Sequence, residues 1–161
     1  MEKTATISDC GQYRYQLGRT WDDGPIARFI MLNPSIADAE TDDPTIRRCI
    51  SFAKREGAGA ISVVNLFAFR ATKPADMMKA ADPIGPENND HLREWVGHEF
   101  GFSKLVIAAW GASPFAAKRF KQIRDRGVID TQYWRCLDKT KSGAPKHPLY
   151  IKGDAPLINL N

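Results

Sequence analysis

Apolar and polar positions along the chain fall into blocks that read, in order, as strand, helix, strand, helix, strand, helix and strand. The clearest block is Phe29-Ile30-Met31-Leu32, a run of large apolar residues that suits a strand buried on both faces of a parallel sheet. It stops at Asn33-Pro34-Ser35, because Pro34 has no amide hydrogen and fixes its own φ. Upstream, Gln12 to Leu17 alternates Tyr13, Tyr15 and Leu17 with Gln12, Arg14 and Gln16, the period of two expected of a half-exposed edge strand. Asp43-Pro44 opens a helix, with Asp43 as N-cap and Pro44 at the first helical position. Ile46, Cys49, Ile50 and Ala53 form its apolar face, and Gly57-Ala58-Gly59 ends it.

Ala60 to Phe67 reads as a second buried strand, Pro74 to Ala81 as a short helix, and Pro86 to Phe100 as a longer one with Leu92, Trp95 and Val96 inward. Lys104 to Trp110 is a third buried strand. Ser113-Pro114 then caps a helix with Ala116, Phe120 and Ile123 on its apolar face, while Lys118, Arg119, Lys121, Arg124 and Arg126 take the other faces. Ile129 to Leu137 is a fourth strand. This alternation predicts one α/β domain over residues 1–161, with a mainly parallel four-stranded central sheet, an N-terminal edge strand and helices on both faces. Three strand ends then meet at one edge: Asn33-Pro34-Ser35, Asn65 to Arg70, and Trp110-Gly111. Ligands bind at the carboxyl ends of such strands, which puts Asn33, Ser35 and Asn65 where binding chemistry is expected. The competing reading of Asn33 and Ser35 is that they are turn formers.

Composition narrows the class. A 43% hydrophobic and 26% charged chain is ordinary for a soluble globular protein. No apolar run nears the ~20 residues that cross a membrane, and no membrane association is expected. Cys10, Cys49 and Cys136 are far apart and lack C-x-x-C spacing, which argues for a reducing, cytoplasmic compartment and against zinc or iron–sulfur ligation. A net charge of +4 favours an anionic partner mildly. No G-x-G-x-x-G or G-x-x-x-x-G-K-S/T loop is present, and no cofactor is expected. Ser35 also lacks the G-x-S-x-G setting of an α/β-hydrolase nucleophile. The acidic loop of Asp38, Glu40, Asp42 and Asp43 has two readings, a hard-metal site or a solvated cluster that helps a helix dipole.

Among the histidines, His91 and His98 sit on a charged helix where exposure is expected, whereas His147 lies between Lys146 and Pro148. Neighbouring lysines would keep His147 neutral and able to donate one hydrogen bond; its other reading is a surface loop residue. Asn65 ends a buried strand, and a carboxamide there offers a donor and an acceptor that suit a nucleobase edge. Phe67 and Phe69 either stack on a base or fill the core.

Taken in order, Met31-Leu32-Asn33-Pro34-Ser35, Val64-Asn65-Leu66-Phe67-Ala68-Phe69-Arg70, Val106-Ile107-Ala108-Ala109-Trp110-Gly111 and His147-Pro148-Leu149-Tyr150 resemble the uracil-DNA glycosylase superfamily. The segments N-P-S-x-A-D, D-P-T-x-x-R-C, N-L-F-A-x-R-A-T, D-P-x-G-x-x-N and H-P-L-Y also look like an uncharacterised bacterial and phage family of unknown function. The glycosylase resemblance implies a three-layer α/β/α fold and cleavage of a pyrimidine N-glycosidic bond in DNA or a nucleotide. By it, Asn33 positions the hydrolytic water, Asn65 reads the pyrimidine edge, and His147 stabilises the leaving base. Ser35, Phe67 and Arg70 complete the substrate site, while Lys73, Lys139, Lys141 and Lys146 hold phosphates. Met31 and Ser35 stand where the motif has glycines, and Leu149 where it has serine. Two alternatives follow: a non-catalytic nucleic-acid or nucleotide binder, and a metal-dependent phosphohydrolase using Asp38, Asp42 and Asp43.

Overall fold

The computed structural model describes residues 1–96 and 105–161. The end of the helix expected over 86–100, with His98, and Lys104 of the third strand lie outside them. Strands β1 (Glu2–Ile7), β2 (Arg14–Thr20) and β3 (Ile26–Met31) precede helix α1 (Pro44–Arg55). Then come β4 (Ala60–Asn65), α2 (Pro74–Met78), α3 (Asn88–Val96), β5 (Leu105–Ala108) and α4 (Pro114–Asp125). The two-residue strands β6 (Arg135–Cys136) and β7 (Ile158–Asn159) flank a 3-10 turn over Pro148–Tyr150.

The seven strands of the described residues join one sheet in the order β1-β2-β4-β3-β5-β6-β7. The sheet is mixed, which corrects the expected mainly parallel four-stranded one. β4, β3, β5 and β6 pair in parallel, β2 and β1 add antiparallel strands at one side, and β7 adds one at the other. Side-chain alternation divides the core. Phe29, Ile61, Val63 and Ile107 pack with Ile46, Cys49 and Phe52 of α1 on one face. Ile30, Val64, Val106 and Ala108 pack with Met77, Leu92, Ala116 and Ile123 of α2, α3 and α4 on the other.

Asp43 caps α1 as expected, its carboxylate accepting from the Ile46 amide at 2.8 Å with Pro44 in the first turn. Other expectations change. The stretch around Gln12 to Leu17 is not an edge strand, because β1 pairs along its outer side and Arg14, Tyr15, Gln16 and Leu17 are all buried. The fourth strand shrinks to Arg135–Cys136, since an Asp130–Gln132 turn breaks extended backbone while Ile129 and Trp134 fill the second core. His91 is half-buried, its ring stacked on Tyr15 at 4.6 Å.

The acidic loop is internally engaged. Fully buried Arg19 donates to Asp42 Oδ1 at 2.7 Å and to the Asp38 carbonyl at 2.5 Å. Asp38 Oδ1 accepts from the amides of Glu40 and Thr41, each at 2.8 Å. With Asp43 spent on α1, each of the three carboxylates considered for a metal has a protein partner. Among the described residues no group of three or more His, Cys, Asp or Glu side chains is arranged to hold a metal ion.

Candidate functional site

Parallel pairing of β3, β4 and β5 brings their carboxyl ends side by side, and a cavity of about 530 Å³ opens there. That volume suits a small-molecule ligand. Asn33 and Ser35 after β3, Asn65 at the end of β4, Trp110 and Gly111 after β5, and His147 from the C-terminal loop all line it. The starts of α1 and α4 complete the wall through Asp43, Thr45 and Ser113.

Each polar group is held differently. Asn33 Nδ2 donates to the Ala71 carbonyl at 2.8 Å and to the Pro34 carbonyl at 3.1 Å, while the Ala71 amide returns a bond to Pro34 at 3.0 Å. The carboxamide is thereby oriented, and its Oδ1 accepts no hydrogen bond among the described residues. Asn65 is 1% exposed, and neither its Nδ2 nor its Oδ1 has a hydrogen-bond partner among the described residues. A buried unpaired polar group costs about 1–3 kcal/mol, so a polar partner that satisfied this carboxamide would recover that cost.

The backbone around Asn65 is clamped from the opposite face of the sheet. Buried Asn88 of α3 donates to the carbonyls of Asn65 at 3.0 Å and Leu66 at 3.2 Å. Buried Arg119 of α4 donates to the Leu66 carbonyl at 3.0 Å and to Asn89 Oδ1 at 2.5 Å. This corrects the outward placement expected of Arg119.

His147 Nδ1 accepts from the Leu149 amide at 3.2 Å, which leaves the ring hydrogen of the neutral form on Nε2. Burial lowers the imidazole pKa below its ordinary value, with Asp43 opposing more weakly. Desolvation rather than the flanking lysines keeps it neutral. The loop is anchored twice: the Gly111 amide donates to Pro145 at 2.9 Å, and Arg48 of α1 donates to the Pro148 and Ile151 carbonyls. Gly111 has φ +81°, a conformation open to glycine, and a Cβ there would lie 3.6 Å from His147 Cβ. Ile36, Leu149 and Tyr150 give the mouth an exposed apolar rim, Tyr150 being 81% exposed.

Other expected site residues stand outside the lining. Phe67 is buried in the second core, and Phe69 packs edge-on against Tyr13 at 5.8 Å. Arg70 donates to the Gly11 carbonyl at 3.3 Å. Lys73 is the residue before α2, Lys146 pairs with Asp138 at 2.7 Å, and Lys139 and Lys141 share the loop with them. Conversely, Arg14 lines the cavity although no site role was assigned to it by pattern, and Asp43, considered only as a helix cap and for a metal, lines it as well.

Fold and site together define an α/β protein with a ligand-sized cavity at the carboxyl ends of parallel strands. The chain belongs to the family described as a protein of unknown function, DUF1643, whose family model matches residues 14–149. No curated protein and no solved structure matches the chain, so the likeness to glycosylases stays with the motifs quoted above.

Proposed function

We propose that the cavity takes a pyrimidine and that the protein hydrolyses an N-glycosidic bond in DNA or a nucleotide. The observation that carries this reading is that Asn33, Asn65 and His147 line one cavity, with the Asn65 carboxamide buried and unpaired. A carboxamide presents a donor beside an acceptor, the complement of a pyrimidine edge. In the reaction, the bond from C1′ to the base nitrogen breaks with its electron pair leaving on the base, and a water oxygen bonds to C1′. His147 donates a hydrogen bond from Nε2–H to the base as negative charge develops there, and the base leaves as the anion. Asn33 orients the water through Oδ1, because a carboxamide is too weak a base to deprotonate it. The water's proton passes to Asp43, the one carboxylate among the described residues of the lining.

Chromatographic detection of free base from oligonucleotides carrying uracil, hydroxymethyluracil or a mismatched pyrimidine tests the proposal. Wild-type protein should release base, and Asn33→Ala and His147→Ala should each slow release by about 100-fold. Release unchanged in both variants, or absent from every substrate, would overturn it. A second reading, a binder without catalysis, draws on Met31, which lines the cavity and occupies space that a glycine would leave. Tight nucleotide binding with no base release is the result that selects it.

A further inference from the structure

Arg14 is the charged side chain of this cavity that the proposal above leaves unused. It lies on β2, is 3% exposed and forms part of the lining. Its Nη1 donates to the Ala37 carbonyl, while its Nε is buried with no partner among the described residues. Arg19, equally buried on the same strand, is ion-paired with Asp42; Arg14 is in none of the ion pairs of the described residues. Burial pulls its guanidinium down to about 10, with Asp43 opposing, so the side chain stays charged at neutral pH. Asp43 lies in the same lining and offsets part of that charge, but forms no ion pair with Arg14 among the described residues. A buried guanidinium with a donor left unpaired is completed by an anion that accepts from it.

A second feature of the wall has the same sign. The 12-residue helix α4 begins in it beside Ser113 with no acidic residue in its first turn, whereas the start of α1 already carries the Asp43 carboxylate. The helix dipole favours negative charge at an end such as that of α4.

Resting on the pyrimidine reading, we propose that the ligand is a nucleotide rather than a nucleoside or free base, its phosphate met by Arg14 and the first turn of α4. A free 5′-phosphate and a phosphate within a DNA strand offer the same chemistry to these groups. Guanidinium suits it because its planar fork matches phosphate oxygens.

Calorimetric titration of the full chain with deoxyuridine, deoxyuridine 5′-monophosphate, inorganic phosphate and the trinucleotide TUT tests this. The monophosphate should bind at least about tenfold more tightly than deoxyuridine, and inorganic phosphate should compete with it. Arg14→Gln should erase that difference while keeping deoxyuridine affinity, and Arg14→Lys should keep part of it. If Arg14→Gln fails to fold, the wild-type comparison and phosphate competition decide alone. TUT binding more tightly than the monophosphate assigns a strand phosphate; weaker or equal binding assigns the free 5′-phosphate. Equal affinity for nucleoside and nucleotide, no binding by either, or a difference that survives Arg14→Gln would overturn the inference. The pyrimidine reading fails separately, if Asn65→Ala leaves monophosphate affinity intact while Arg14→Gln reduces it.

Discussion

Asp43 caps α1 through Oδ1, and substitution can separate that duty from the acceptance of a proton. Asn is as good an N-cap as Asp, so Asp43→Asn should leave thermal stability within about 0.5 kcal/mol of wild type. Asp43→Ala should lose about 1 kcal/mol. If the carboxylate accepts the water's proton, both variants lose base release; full release by Asp43→Asn would confine Asp43 to the cap. His147 gives a second test. Its folded-state pKa lies below the ordinary 6.5, so the unfolded chain takes up the extra proton first as pH falls. The stability this group contributes is complete above that ordinary value, falls as pH drops through it, and levels off below the lower folded value. Denaturant midpoints at about pH 7.5 and about pH 5 should therefore decline more in wild type than in His147→Gln; equal declines would contradict the account. Asn33, Asn65 and His147 were legible because each interrupts an apolar run or sits in a Pro-marked turn. Arg14 was not, because an arginine alternating with tyrosines looks the same whether its partner is water or a buried carbonyl.

Elements show the same blind spot. Arg19 and Arg119 were hidden in patterns that mark solvent-facing positions, yet both turn inward to loop or strand-end carbonyls. Hydrophobic periodicity records side chains and carries no trace of where the backbone leaves an acceptor unpaired. The clamp on Asn65 follows from this: Asn88→Ala would strand two buried carbonyl contacts and should destabilise the fold by about 2 kcal/mol, measured by denaturant unfolding. No loss of stability in that variant would remove the clamp from the account. A different contact governs the start of β4. A Cβ on Gly59 would lie 2.3 Å from the Gly24 amide and 2.5 Å from the Asp22 carbonyl, both backbone atoms that cannot swing aside. Gly59→Ala should therefore cost about 3 kcal/mol. An unchanged denaturant midpoint in that variant would show that the approach of the β2–β3 loop relaxes freely.

For the whole molecule, apolar runs identified the buried strands of the sheet's centre, because residues covered on both faces must be continuously apolar. They could not show the antiparallel margins. β1 is half exposed along its length and β7 is a pair of exposed residues, so neither carries an apolar signature. Those margins still shape the sheet: β1 pairs outside β2, and the loop that supplies Ala37, Asp38 and Asp42 accepts from the buried Arg14 and Arg19 of that strand. The charge of the surroundings is likewise a property of the assembled fold. Lys139, Lys141 and Lys146 were grouped as phosphate ligands by sequence, whereas the cation in the lining comes from β2 and the acid from the cap of α1. All of this converges on one carboxamide at the end of β4. Its side-chain amide signal, assigned by its loss in Asn65→Ala, can be followed by nuclear magnetic resonance while deoxyuridine 5′-monophosphate is added. A saturable shift of that signal, abolished by competing inorganic phosphate, is the predicted result. An Asn65 amide that stays still at saturating nucleotide would contradict a pyrimidine site in this cavity.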